Sequence, residues 1–318
     1  LAPSESEARS VTSSRRPAHG LANGQPQQGQ ESGVSLGTVK LLITCPDARG
    51  IIAAVANFVA LHDGNILDAD QHTDPAAGEF FMRIEIDPDG FGLAKQSFHG
   101  AWQPVADRFN MRWRVHWADD VKRVALFVSR EDHCLNDILW RWRTGELRAA
   151  IPLVISNHDV LRNNVESFNL PFHHLPSLAE GKSAAEQTML RLLDECAVDT
   201  LVLARYMQVL SPAFVARFRE RIINIHHSFL PAFAGRKPYH QAFERGVKII
   251  GATSHYVTDQ LDDGPIIAQS TIPVNHRDTI EDMVRKGRDL ERVVLATAVR
   301  QHVEDRILVN RNKTVVFD

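Results

Sequence analysis

The chain has 318 residues, of which 44% are hydrophobic and 24% charged, enough length and apolar material for two compact domains. Its 36 basic and 39 acidic residues leave a formal charge of −3, which argues against nucleic acid or an anionic membrane as the dominant partner. Cys45, Cys134 and Cys196 are scattered, with no metal-ligand spacing and no disulfide framework; they fit a cytoplasmic protein, and no apolar run has the length to cross a bilayer.

Residues 1–36 are rich in Ser, Gln, Gly and Pro and poor in large apolar groups, so they are expected to form a disordered tail. Val39–Thr44 reads as a strand and Ile51–His62 as a helix, with Ile51, Val55, Phe58 and Val59 at helical spacing. Asp63-Gly64-Asn65 stops that helix and leads into a strand at Ile66–His72. In the strand Glu79–Ile86, Phe81, Arg83 and Glu85 alternate against Phe80, Met82, Ile84 and Ile86. A helix over 91–107 and a strand at Met111–Trp117 complete βαββαβ, the ferredoxin-like order.

Ala118-Asp119-Asp120 marks a boundary, giving domains at 37–118 and 121–318. Beyond it, strands at Val121–Ser129, Ala150–Ser156, 171–174, Thr200–Ala204 and 221–225 alternate with helices at 134–144, 159–168, 183–197 and 211–219. That alternation predicts a mostly parallel, Rossmann-like sheet with helices on both faces, an α/β fold. Longer strands at Ile249–Thr258 and Ile266–Val274 and an amphipathic helix over 278–304 follow.

The most informative stretch is Ile223-Asn224-Ile225-His226-His227-Ser228-Phe229-Leu230-Pro231, followed by Leu261-Asp262-Asp263-Gly264-Pro265. Side chains alternate along a strand, so Asn224 and His226 share a face near its carboxyl end, where open α/β sheets bind ligands. An amide donor, an imidazole and a carboxylate suit acyl transfer: one holds an oxyanion, one moves a proton, one orients water or the imidazole. Taken singly, each residue type is more often a satisfied loop or turn residue than a catalyst.

Together with Gly251-Ala252-Thr253-Ser254-His255, these motifs resemble the formyltetrahydrofolate-dependent transformylase superfamily, in which the matching trio Asn224, His226 and Asp262 would be catalytic. Residues 37–118 resemble an ACT domain, through Cys45-Pro46-Asp47-x-x-Gly50-Ile51-Ile52 and Gly64-Asn65-Ile66. ACT domains bind small amino acids at paired interfaces, which implies a homo-oligomer and a regulatory ligand near Asp47, Gly50 and Asn65. The formyltetrahydrofolate deformylase family joins the two modules in this order. Glu131-Asp132-His133-Cys134-Leu135, Asn157-His158-Asp159 and Leu203-Ala204-Arg205-Tyr206-Met207-Gln208-Val209-Leu210 are similar to it.

That resemblance implies hydrolysis of 10-formyltetrahydrofolate to formate and tetrahydrofolate, feeding purine synthesis and balancing folate pools, with no metal or other cofactor. It implies a pteridine slot lined by Met207, Gln208, Leu210, Val257 and Thr258, with His227 biasing the site toward water and His255 steering Asp262. The family often has Gly-Ala-Arg-Pro-Tyr where Gly235-Arg236-Lys237-Pro238-Tyr239 stands, and Lys and Arg where Arg205 and Gln208 stand. Formyl transfer to an amine such as glycinamide ribonucleotide, or a non-enzymatic folate or amino-acid sensor, are the alternatives. Ser129–Asn136 carries no glycine to cradle a phosphate and two acidic residues, Glu131 and Asp132, which favours water as acceptor.

Overall fold

The computed structural model describes residues 37–176, 182–232 and 238–318. The predicted tail and the Gly235-Arg236-Lys237 segment lie outside the described residues. Leu36–Asp318 makes one compact unit. In its first half, β1 (Val39–Pro46), α1 (Ile51–Leu61), β2 (Ile66–Asp74), β3 (Glu79–Ile86), α2 (Lys95–Arg108) and β4 (Arg112–His116) form an antiparallel sheet of order β2-β3-β1-β4. The alternation in β3 sorts as the sequence predicts. Phe80, Met82, Ile84 and Ile86 enter a core with Val55, Phe58, Phe98 and Trp102 from the two helices.

The second half holds β5 (Val124–Val128), α3 (His133–Arg143), β6 (Val154–Ser156), α4 (Arg162–Glu166), β7 (Phe172–His174), α5 (Lys182–Glu195), β8 (Thr200–Ala204), α6 (Pro212–Arg217), β9 (Ile222–His226), α7 (Pro238–Arg245), β10 (Ile249–Tyr256), β11 (Ile266–Pro273) and α8 (Ile280–Val303). Their sheet runs β11-β10-β9-β8-β5-β6-β7, parallel from β9 to β7 and antiparallel where β10 joins β9 and β11. All five residues of β5 are fully buried, because helices cover both faces. Val124, Leu126 and Val128 pack toward α3 and α8, and Ala125 and Phe127 toward α5 and α6. The start of α8 is fixed by a capping box, in which the Thr279 hydroxyl accepts from Asp282 N and the Asp282 carboxylate accepts from Thr279 N.

Three elements were not anticipated: α7 and a C-terminal hairpin of β12 (Ile307–Asn310) and β13 (Lys313–Val316). The hairpin explains the outer face of β3. Leu308 and Phe317 bury Leu42 and Phe81. Arg83, 1% exposed, donates from Nε to the Asp305 carbonyl at 2.8 Å and pairs with Glu85 and, at 3.3 Å, with Asp68. Arg114 of β4 donates to the Ile307 carbonyl, and Lys122 pairs with Asp305. Several hydrogen-bonded charges thus join the two sheets at one seam. A cavity of about 630 Å³ opens beside it, lined by Arg114, His116, Lys122, Tyr256 and His302.

Candidate active site

β9 delivers Asn224 and His226 on one face, while Ile223 and Ile225 point into the core toward α8. β10 lies antiparallel beside it, with His255 opposite Asn224. The loop after β10 folds back so that Asp262 reaches both histidines. Gly264 makes this turn possible, because a Cβ there would lie 1.7 Å from the Tyr256 carbonyl oxygen. Asp262 itself has φ 56°, a left-handed conformation that Asp tolerates better than most residues.

His226 Nδ1 stands 3.2 Å from Asp262 Oδ2, and the buried Nε2 of the same ring meets no hydrogen-bond partner among the described residues. The hydrogen bond from His226, together with its charge, holds the Asp262 carboxyl below its ordinary range despite burial. His255, 2% exposed, stands with Nδ1 2.9 Å from the Tyr256 carbonyl; donation there leaves Nε2 as an acceptor, 3.3 Å from Asn224 Nδ2. Burial pushes its pKa down, so it stays neutral. His255 therefore orients the Asn224 amide and leaves one N–H of that amide for a ligand. Its Nε2 is 3.8 Å from Asp262 Oδ1, so the sequence expectation that it steers Asp262 becomes a weaker contact beside the one to Asn224. The trio predicted from spacing is brought together, with an open imidazole nitrogen, an amide donor and an ionised carboxylate converging.

Two families match this sequence: a formyl transferase domain over residues 122–299 and an ACT domain over 39–101. A formyltetrahydrofolate deformylase from Synechocystis sp. is 54% identical over 280 residues, covering 88% of this chain and 98% of that one. The Bacillus subtilis protein of the same name is 51% identical, covering 88% of this chain and 93% of its own. The crystal structure of a formyltetrahydrofolate deformylase from Pseudomonas syringae pv. tomato superimposes with a TM-score of 0.87 at 51% identity, covering 88% of this chain and 94% of that one.

The chain belongs to the formyltetrahydrofolate deformylase family.

A glycinamide ribonucleotide transformylase from Symbiobacterium toebii matches less of it, with a TM-score of 0.61 at 30% identity over 64% of this chain. The deformylases extend over the ACT half as well.

The remaining residues proposed for folate divide. Met207 and Val209 are 57% and 60% exposed, so ordinary core packing does not account for them. Leu210 is buried in the same cluster that Val257 flanks, which ties the segment after β8 to the loop carrying Asp262. Leu210 is therefore a core residue supporting that junction. Gln208 is half-buried, and Thr258 donates to the Gln260 carbonyl. Asp47, Gly50 and Asn65 are exposed. Gly50 (φ 92°) precedes α1 and Asn65 follows it, so about 16 Å of helix separates them within one chain.

The acidic pair expected to repel a phosphate is partly compensated, since Glu131 pairs with Arg288 at 2.7 Å and Asp132 accepts from Asn136. Cys134 is fully buried and its thiol is pushed well above the usual range, which rules it out as a thiolate nucleophile.

Sequence reasoning missed a second polar cluster. Glu291, 1% exposed, stands on the buried stripe of α8 with Met283, Gly287, Val294 and Leu295. A charge on such a stripe is the signal that could have found it. Its carboxylate accepts from Tyr239 at 2.7 Å, lies 2.9 Å from His133 Nε2 and 3.4 Å from Arg205 Nε. Burial alone would raise its pKa, but these partners outweigh burial and hold it below the ordinary value. His133, Cys134 and Glu291 have donor atoms within 4.8 Å of one another, a spacing that could hold a metal. Here the carboxylate already accepts from Tyr239, meets His133 and is ion-paired with the Arg205 guanidinium, so a cation would have to displace them.

His227 lies between the two clusters, its ring centroid 5.3 Å from His226 and 5.8 Å from Tyr239, tilted to both. Burial, reinforced by the Arg205 charge, pulls its pKa down to about 4, so it is neutral near pH 7.

Proposed function

We infer that the chain hydrolyses 10-formyltetrahydrofolate to formate and tetrahydrofolate, with Asn224, His226 and Asp262 as its catalytic residues. The observation that carries this reading is the buried, unpartnered Nε2 of His226 on a ring whose other nitrogen faces an ionised Asp262. The substrate is an N10 formamide. Water attacks the formyl carbon, and negative charge collects on the formyl oxygen. The free Asn224 N–H and His226 Nε2–H donate to that oxygen, the arrangement that stabilises acyl-transfer transition states. Asp262 Oδ1, the oxygen turned away from His226, orients the water and takes its proton. The imidazolium, paired with Asp262, then protonates N10 as the C–N bond breaks.

Met207, Val209, Gln208, Val257 and Thr258 supply the folate slot, on the segments that flank the trio. His227, kept neutral beside His226, leaves the small pocket to water. No metal or cofactor is needed for these steps. The module boundary falls at 119–120, between the two family matches. The ACT half pairs with a second copy through the open β2 edge, beside which Leu61 and Leu67 stand exposed. Asp47 and Gly50 of one copy would then meet Asn65 of the other around a small amino acid.

Purified protein incubated with 10-formyltetrahydrofolate should release formate and tetrahydrofolate in equal amounts without any amine. Turnover that requires glycinamide ribonucleotide, or that yields its formyl derivative, would overturn this reading.

A further inference from the structure

Arg205 stands one rung beyond β8. Its charge acts on His227, whose ring centroid lies 5.3 Å from that of His226. Its φ of 63° is left-handed, unusual for an arginine, and turns the chain abruptly at the strand end. The guanidinium is largely buried, with a side-chain exposure of 14%.

Its bonding is incomplete. Nε faces Glu291 Oε2 at 3.4 Å without making a hydrogen bond, and Nη1 is buried with no hydrogen-bond partner among the described residues. Leaving a buried donor unpaired is costly, so such a group calls for an acceptor that the folded chain does not itself provide. The Nη1/Nη2 edge of a guanidinium matches the two oxygens of a planar carboxylate.

From this geometry we propose that Arg205 is a seat for a small carboxylate, and that its natural occupant is the formate released at His226. The inference rests on the hydrolytic reading above. Cleavage leaves a neutral amine on the folate and a new carboxylate with two equivalent oxygens, the shape that the guanidinium fork fits. Glu291 does not repel it from the site, because that carboxylate is shared with His133 and Tyr239 and faces the Nε side of the guanidinium. Glu291 instead anchors Arg205 and partly neutralises it, which keeps the seat weak enough to release product. Neutral His227 lies between the two sites and adds no competing charge.

The test is formate binding to the full-length protein, read by line broadening of carbon-labelled formate and, separately, by formate inhibition of turnover. Wild-type protein should bind formate, and acetate more weakly. Arg205→Gln should weaken formate binding by about tenfold or more, and Arg205→Lys by a smaller factor, because a charge survives but the fork is lost. Glu291→Gln should tighten it, since the guanidinium is then less neutralised; this variant serves if Arg205→Gln does not fold. No binding by wild-type protein, or equal binding by folded Arg205→Gln, would overturn the proposal. Because binding is read without folate, a failure of the hydrolytic reading would show separately, as absence of turnover.

Discussion

Gly264→Ala gives the sharpest test of how the Asp262 carboxylate is held. The new methyl group would lie 1.7 Å from the Tyr256 carbonyl oxygen, whereas real Cβ contacts essentially never fall under 3.0 Å, so the turn must open by at least 1.3 Å. The obstacle is backbone and cannot swing aside. That carbonyl is also the partner of His255 Nδ1, and Tyr256 N donates to the Pro265 carbonyl on the far side of the same turn. The displacement therefore reaches Asp262 through the loop and Asn224 through His255 at once. A misplacement of about 1 Å at a reacting centre costs about a hundredfold in rate, and the overpacking itself costs about 1–3 kcal/mol. Steady-state hydrolysis of 10-formyltetrahydrofolate, with thermal unfolding in parallel, should show kcat/KM down by about a hundredfold in a protein that still folds. A Gly264→Ala enzyme with kcat/KM within about twofold of wild type would show that the loop does not position Asp262 in this way.

Asp262→Asn, which keeps the shape and removes the charge, should lower kcat by about a hundredfold or more, and Asn224→Ala and His226→Ala by similar factors, in single-turnover assays of folded protein. His227 adds a pH dependence to stability. Its folded pKa of about 4 lies below the ordinary 6.5, so the unfolded chain binds the proton first and stability falls as pH drops from about 6.5 to about 4, by up to ~3 kcal/mol. Urea titrations of His227→Asn across that window should show a flatter acid limb; an unchanged limb would mean that His227 is not held neutral. Arg83→Met leaves Glu85 and the Asp305 carbonyl without their buried partner and should destabilise the protein by about 3–5 kcal/mol, read as a lower urea midpoint.

Much of the fold was legible because its signals are local. The alternation of Glu79–Ile86, the stop at Asp63-Gly64-Asn65 and the strand–helix alternation after Val121 each need only neighbouring residues to be read. The trio was legible for a different reason: Asn224 and His226 occupy fixed places on a strand, and Asp262 sits in a turn whose Asp-Gly signature is plain. The outer face of β3 was not legible. Phe81 and Arg83 read as the outward half of an amphipathic strand, and their partners Phe317 and Asp305 lie more than 200 positions later, on a segment too short to announce itself. Likewise, no local pattern joins Arg205, Tyr239, His133 and Glu291, which converge from four elements. Leu210 and Met207 show the limit in the other direction: two apolar residues three positions apart read alike, and only tertiary packing decides that one is core and the other exposed.

The central claim is that water is the acceptor at His226 and Asp262, and the source of the new formate oxygen tests it most directly. Hydrolysis of 10-formyltetrahydrofolate in heavy-oxygen water, without amine, should give formate carrying one labelled oxygen at the rate of tetrahydrofolate release. Unlabelled product, or no formate until an amine is added, would contradict the account.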